Sequence, residues 1–258
     1  MRVLGGLNAE KQDFEGASAG SSPVYPNARI FPTSYSFDDP IEDVTIRRCR
    51  FAMFQHPVQR DLTSRPTLRR LTVERCHFTA SELGPITLED STIDTVWFHR
   101  GKWGPQRLKG CAFKHVAIRG AVRGSIAFER SHEWSRRHST ESAATDPTVI
   151  ANEQYYADVD WALDISQAEF TGVEMSRSGI PARLVRRDPE TQVMITRTSV
   201  TGADWRAACG TSSQWVAIER FLQTGFADAV LIAPRRSKYL DEDVAAFGRL
   251  RDIGVVVG

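Results

Sequence analysis

Between residues 68 and 128 the apolar positions recur every five residues. The series Leu68, Val73, Phe78, Leu83, Leu88, Ile93, Phe98, Trp103, Leu108, Phe113, Ile118, Arg123, Phe128 has twelve apolar members out of thirteen, where the chain's 41% hydrophobic content would supply about five. A helix repeats at 3.6 residues and a half-buried strand at 2, so neither element alone produces this spacing. Two residues before each member stands a small or aliphatic side chain: Cys76, Ser81, Ile86, Ser91, Val96, Gly101, Cys111, Val116, Ala121 and Ile126, with Gln106 the exception. The unit is therefore small, any, large, then two mostly polar residues. It predicts a short strand with two inward side chains, then a corner, repeated many times.

The unit returns in other frames. Ile165, Phe170, Met175, Ile180, Val185, Ile195, Val200 and Trp205 share a second five-residue grid with a gap at Glu190, and Ile41, Ile46 and Phe51 share an earlier one. The frame changes between Phe51 and Leu68, and again between Phe128 and Ile165. Each change predicts an insertion whose length is not a multiple of five.

The segments CRF at 49–51, CHF at 76–78, STI at 91–93, CAF at 111–113 and AEF at 168–170 resemble the pentapeptide-repeat family, and the resemblance covers roughly residues 41–205. It implies a mainly β chain folded as a right-handed quadrilateral β-helix. Four pentapeptides form a coil of about 20 residues, giving about six coils, each burying its face against its neighbours. A more general right-handed β-helix is the nearest alternative. In either, Cys49, Cys76 and Cys111 fill the small inward position and read as buried structural thiols.

Other segments break the pattern. Residues 1–40, rich in Gly, Ser, Pro and Asn, read as a loosely ordered N-terminal arm. Residues 131–162 carry no repeat, and a long insertion in a compact array is often functional. The segment 181–192 reads as a loop bulging from a later coil. After residue 205 the chain changes character. Ser212 or Ser213 can cap a helix through Trp215, Ile218, Phe221 and Leu222, ended by Gly225. DAVLIAP at 228–234 reads as a buried strand. Leu240 to Arg251 reads as an amphipathic helix with Val244, Phe247 and Leu250 on one face, and VVV at 255–257 as another strand. Residues 206–258 are thus expected to form a helix-containing α/β cap over the open end of the stack, with dimer formation or partner binding as their alternative role.

The formal net charge is only +1, but residues 45–130 hold 16 Lys and Arg against 7 Asp and Glu. The outer face of the early coils is therefore expected to be basic. Some members of the family that the chain resembles protect bacterial type II topoisomerases by imitating duplex DNA, which requires an acidic rod; this rod has the opposite sign. The cluster His132, Glu133, Trp134, Arg136, Arg137, His138 does not match zinc-ligand spacing, and there is no P-loop, GxGxxG, GxSxG, HExxH or CxxC. No apolar run approaches the roughly 18 residues of a membrane span. The opening MRVLGGLNAEKQDFEG lacks the apolar centre of a signal peptide, and unpaired cysteines suit a cytoplasmic location.

These readings point to a non-enzymatic protein-interaction scaffold without a cofactor, whose partner is another protein. Arg and aromatic residues anchor interfaces, so the contacts are expected at Trp134, Arg136, Arg137, Tyr155 and Tyr156 in the first interruption, and at Arg186, Arg187 and Asp188 in the second. The resemblance implies a role in bacterial protection or immunity against a toxin or drug. Two alternatives stand beside it. A carbohydrate-active lyase or hydrolase expects a concave cleft on one face where carboxylates cluster with Arg or Lys, together with a bound cation, whereas the scaffold expects convex faces, no such cleft and conspicuous loops. A nucleic-acid binder using the basic early coils expects affinity that falls steeply with salt.

Overall fold

The five-residue series becomes four ladders of parallel strands. On the first, Ile41–Glu42, Thr67–Arg69, Thr87–Glu89 and Ala112–Lys114 lie side by side. The second carries Asn8–Glu10, Thr45–Arg47, Thr72–Glu74 and the start of Thr92–His99, then the start of Val116–Glu129, Leu163–Asp164 and Val185–Arg186. The third carries Asp13–Phe14, Arg50–Ala52, His77–Thr79, the end of Thr92–His99, the middle of Val116–Glu129 and the start of Ala168–Arg177. The fourth carries Glu82–Leu83, Gln106–Lys109 and the ends of the two longest strands. These elements belong to a computed structural model that describes residues 8–10, 13–14, 41–43, 45–47, 50–52, 67–79, 82–83, 86–99, 106–129 and 153–258. It is sheet-rich, with 43% strand and mostly parallel pairing.

The register explains the period. Leu68 lies on Leu88 and Leu88 on Phe113; Val73 on Ile93 and Ile93 on Ile118; Leu83 on Leu108 and Leu108 on Phe128. Each strand meets its neighbour 20 or 25 residues later, so every fifth side chain stacks on its equivalent. Ile46, Leu68, Leu88, Phe113, Ile118 and Phe128 are all buried, as are Cys76 and Cys111; Cys49 and Trp103 lie outside the described residues. Parallel neighbours need a crossover of a dozen or more residues, and the other three ladders supply it. The frame changes coincide with longer steps: Ile41 to Leu68 is 27 residues and Val116 to Leu163 is 47.

The polar member of the series, Arg123, has a local cause. A bulge between Asp94 and Val96 shifts the register by one, so that Val96 lies on Val122 and Trp97 on Arg123. Val122 is then buried and Arg123 is exposed.

Corners are made by residues of left-handed conformation. Asp43, Arg70, Asp90 and His115 have φ of 58°, 54°, 48° and 55° in one column, and Arg75, Thr95 and Gly120 have 53°, 51° and 62° in another. A non-glycine residue there costs about 1 kcal/mol or more. The ladder bonding continues through the corner as compensation: Arg70 N–H donates to Glu89 O at 3.0 Å, Asp90 N–H to Lys114 O at 2.9 Å and Arg75 N–H to Asp94 O at 3.0 Å.

Three expectations change. Within the N-terminal arm, Asn8–Glu10 and Asp13–Phe14 form strands that extend the second and third ladders; an edge strand needs only its backbone groups, which leave no apolar period in the sequence. The 181–192 segment is not simply a bulge. Its first half is a 3-10 turn, Ala182–Leu184, leading into Val185–Arg186 on the second ladder, with Ala182, Leu184 and Val185 buried. Finally, the five-residue spacing persists through Ile195, Val200 and Trp205 while the structure changes beneath it. Ile195 sits in Gln192–Thr196, antiparallel to both Asp228–Ile232 and Val256–Val257. Val200 closes helix α1 (Arg197–Val200) and Trp205 opens α2 (Trp205–Cys209). Inward positions of a strand and of short helices fell on the same grid.

The C-terminal sheet is completed by α3 (Gln214–Leu222) and α4 (Leu240–Asp252). Ser213 stands at the N-cap of α3 without a side-chain capping bond, and Ser212 before it accepts from Gln214 N–H at 3.2 Å. Side-chain alternation along Asp228–Ile232 gives the strand two apolar faces. Ala229 and Leu231 pack with Ile218, Phe221, Phe247 and Leu250 of the helices. Val230 and Ile232 instead join the stack's own core with Phe170, Met175 and Ile180.

Candidate functional site

One corner column alternates in charge along the stack: Asp43, Arg70, Asp90, His115. Arg70 Nε donates to Asp43 Oδ1 at 2.6 Å. At the far end His115 lies between two carboxylates, its Nδ1 3.0 Å from Asp90 Oδ1 and its Nε2 2.6 Å from Asp160 Oδ1. The hydrogen bond to Asp160, aided by that to Asp90, raises the imidazole above its ordinary range. Trp161 tilts against His115 with ring centroids 5.0 Å apart. The exposed Arg186 guanidinium lies 4.2 Å from the Trp161 ring centroid, within cation–π range. Strand Leu163–Asp164 on strand Val185–Arg186 brings Trp161 and Arg186 together.

The anticipated contact residues separate into three groups. Arg186 is in this exposed patch. Tyr156 is a core residue: it is 1% exposed, its hydroxyl accepts from Phe113 N–H at 3.2 Å, and half-buried Tyr155 meets it edge-on at 5.0 Å. Arg187 and Asp188 are ties to the C-terminal sheet. Burial pulls the Arg187 guanidinium below its usual range against the attraction of Asp228. Asp188 accepts from Thr191 N–H at 3.2 Å and pairs with Arg235 at 2.9 Å. Trp134, Arg136 and Arg137 lie outside the described residues, as do His132 and His138.

A second feature was not assigned to residues by the sequence reading. A cleft of about 520 Å³ opens where α3, strand Asp228–Ile232 and the start of α4 meet the last strands of the fourth ladder. Its floor is made of small outward residues, Ser125, Ala127 and Gly172, since Ser125 pairs with Gly172 and Ala127 with Glu174. Its rim is charged. Arg177 pairs with Glu129 at 2.6 Å and with Glu174 at 3.4 Å, Arg220 reaches Glu174 at 2.7 Å from α3, and Arg107 stands 4.0 Å from Glu129. The Ser176 hydroxyl donates to Glu174. On the opposite wall burial pushes the Asp243 carboxyl up, and Ser212 donates to it at 2.6 Å. This is the concave arrangement of carboxylates and arginines expected of the carbohydrate-active alternative. It lies at the junction of stack and C-terminal sheet, not along a groove of the stack. Its residues are legible only as outward members of the repeat, and their meeting depends on a 47-residue register step from Ala127 to Glu174.

Part of the basic early surface is paired across neighbouring strands, while Arg119 and Arg123 are exposed. Arg47 pairs with Glu74 at 3.0 Å, and Arg69 pairs with Glu42 at 3.0 Å and with Glu89 at 2.7 Å. Among the described residues no group of three or more His, Cys, Asp or Glu could hold a metal ion, and no helix is long and apolar enough to cross a membrane. Comparison of the chain with protein-family profiles, curated proteins and solved structures finds no match.

Proposed function

We propose that the protein is a non-enzymatic interaction protein, built on a right-handed β-helix of pentapeptide-repeat type and closed by its C-terminal α/β unit. Four parallel ladders, whose steps are mostly 20 or 25 residues between residues 67 and 129, support the architecture. Solenoids of this kind present long rigid surfaces suited to binding. The observation that carries the function is the patch of Arg186, Trp161, His115 and Asp160. It offers an exposed guanidinium over an indole, beside the His115–Asp160 pair at the edge of the second ladder, which is the chemistry of an interface anchor. The partner is another protein presenting an acidic or aromatic group to Arg186.

The test is affinity capture from a bacterial lysate with the wild type, with Arg186→Glu and with Trp161→Ala. A discrete protein bound by the wild type and lost with both variants supports the reading. The same protein retained by both overturns this choice of surface. The nucleic-acid alternative rests on the excess of basic residues over 45–130, and binding that falls steeply with rising salt would support it. The junction cleft favours the carbohydrate-active reading as second choice, and glycan cleavage by the purified chain would put it first.

A further inference from the structure

We propose that the cleft between the fourth ladder and the C-terminal unit is a binding site for a small hydroxylated carboxylate. The inference stands on the cleft alone and does not depend on the protein-interaction reading.

Three observations point to that ligand class. The first is the balance of the rim. On the stack side three guanidiniums, Arg107, Arg177 and Arg220, face two carboxylates, Glu129 and Glu174. Each carboxylate has a close arginine partner, but Arg107 has only the 4.0 Å approach to Glu129, the outer limit of a direct pair. On that side Arg107 is therefore left without a close carboxylate, while Asp243 across the cleft is buried, accepts from Ser212 and has its carboxyl pushed up by burial. The second is an unsatisfied donor. Arg177 Nε is buried and makes no hydrogen bond, although the same guanidinium is ion-paired through its terminal nitrogen. A buried N–H without an acceptor costs about 1–3 kcal/mol, and a guanidinium matches a carboxylate through two parallel bonds. The third is the remaining lining. Exposed Ser125, Ser213 and Tyr239 add hydroxyls around a floor kept low by Ala127 and Gly172. The second oxygen of Glu129, with no partner nearer than Arg107, accepts from a ligand hydroxyl, so the site suits a molecule carrying several hydroxyls and one carboxylate. The volume lies in the usual range for small-ligand sites.

The test is isothermal titration calorimetry of the full chain with three carboxylates, D-glucuronate, D-gluconate and L-tartrate. Glucose 6-phosphate and glucose serve as phosphate-bearing and neutral counterparts. At least one carboxylate is expected to bind saturably, with glucose giving no heat and glucose 6-phosphate binding at least tenfold more weakly. Arg177→Gln and Arg107→Gln should each weaken binding tenfold or more. Ser125→Glu, at an exposed floor position that leaves the melting curve unchanged, should abolish it by charge repulsion. It carries the test if Arg177→Gln fails to fold. The proposal is overturned if none of the three carboxylates binds, if glucose binds equally well, if glucose 6-phosphate binds better, or if Ser125→Glu leaves the affinity unaltered.

Discussion

Alanine substitutions at three glycines separate the forces that hold the stack in register. Gly124 has φ of 91°, and a Cβ there would stand 1.8 Å from the Phe98 carbonyl oxygen and 2.8 Å from its carbonyl carbon. Gly254 has φ of 74° with nothing within 4 Å of a Cβ. Gly172 is not in the left-handed region, and its Cβ would make ordinary contacts of 3.5 and 3.6 Å with Ser125 and Gly124. Gly254→Ala should therefore cost only the left-handed penalty, about 1 kcal/mol or somewhat more. Gly172→Ala should be neutral or stabilise by about 0.4–1 kcal/mol, because it restricts the unfolded chain at no native cost. Gly124→Ala bears both the penalty and a collision with backbone that cannot rotate away. Adding about 1–3 kcal/mol for overpacking gives about 2–5 kcal/mol in all. Against a typical margin of about 5–15 kcal/mol, that is a large fraction of the stability. Urea unfolding followed by far-ultraviolet circular dichroism reads the three values. With a slope near 3 kcal/mol/M, Gly124→Ala should move the midpoint by about 1 M or more. If Gly124→Ala loses no more than Gly254→Ala, the close approach of Gly124 to Phe98 is wrong, and with it the shifted register that explains Arg123.

Other perturbations probe the core, a corner and a thiol. Phe113→Ala removes a 1% exposed ring stacked below Leu88 and close to Phe128 and should cost about 3–5 kcal/mol in the same unfolding assay. His115 has its folded pKa raised above the unfolded value. Its contribution to stability is therefore complete below about pH 6.5 and lost as pH rises through the folded pKa. The urea midpoint should fall across that window, and Asp160→Asn should reduce the fall; an unchanged pH dependence in that variant would contradict the pairing. Cys209 is buried and its thiol is pushed up to about 11 by burial. Mass-spectrometric mapping of iodoacetamide labelling at pH 8 should find it unmodified until denaturant is added.

The ladders were legible because an inward side chain every fifth residue is a stronger constraint than propensity. Leu68, Leu88 and Phe113 carry the signal without reference to anything outside the repeat. The helices α3 and α4 were equally plain from Ile218, Phe221, Phe247 and Leu250, all of which are buried. What spacing could not reveal was where the pattern stopped meaning the same thing. Ile195 and Val200 keep the grid while belonging to an antiparallel strand and a helix, because five-residue spacing also joins residues on one side of a strand–helix junction. The sites were less legible still. Arg186 was singled out and is exposed, but Arg187 and Asp188, next to it, turn inward to Asp228 and Arg235. Trp161, which gives Arg186 its platform, follows a long unpatterned segment and acquires meaning only from the register of Leu163 on Val185.

The cleft follows from the way the C-terminal sheet is attached. Strand Asp228–Ile232 must satisfy two cores at once, with Ala229 and Leu231 turned to the helices and Val230 and Ile232 to the stack. A strand with two apolar faces cannot also present a polar binding surface, so polar chemistry is displaced to its margins. At one margin Asp228 accepts from Ala182 N–H at 2.8 Å and attracts Arg187, with burial raising its carboxyl. At the other, Arg220 crosses from α3 to Glu174, and Arg236 reaches from beyond the strand to Glu169 with Nε at 2.8 Å. The outward faces of the earlier rungs close their charges across neighbouring strands, as Arg69 does with Glu42 and Glu89. Among the described residues no further strand follows the last rung of the fourth ladder, and α3 lies beside it instead. The gap between Glu129, Arg177 and Arg220 is where the repeat's own pairing runs out. Where the cross-strand pairing stops, Arg107 keeps only a 4.0 Å approach to Glu129 and the Arg177 Nε–H has no acceptor.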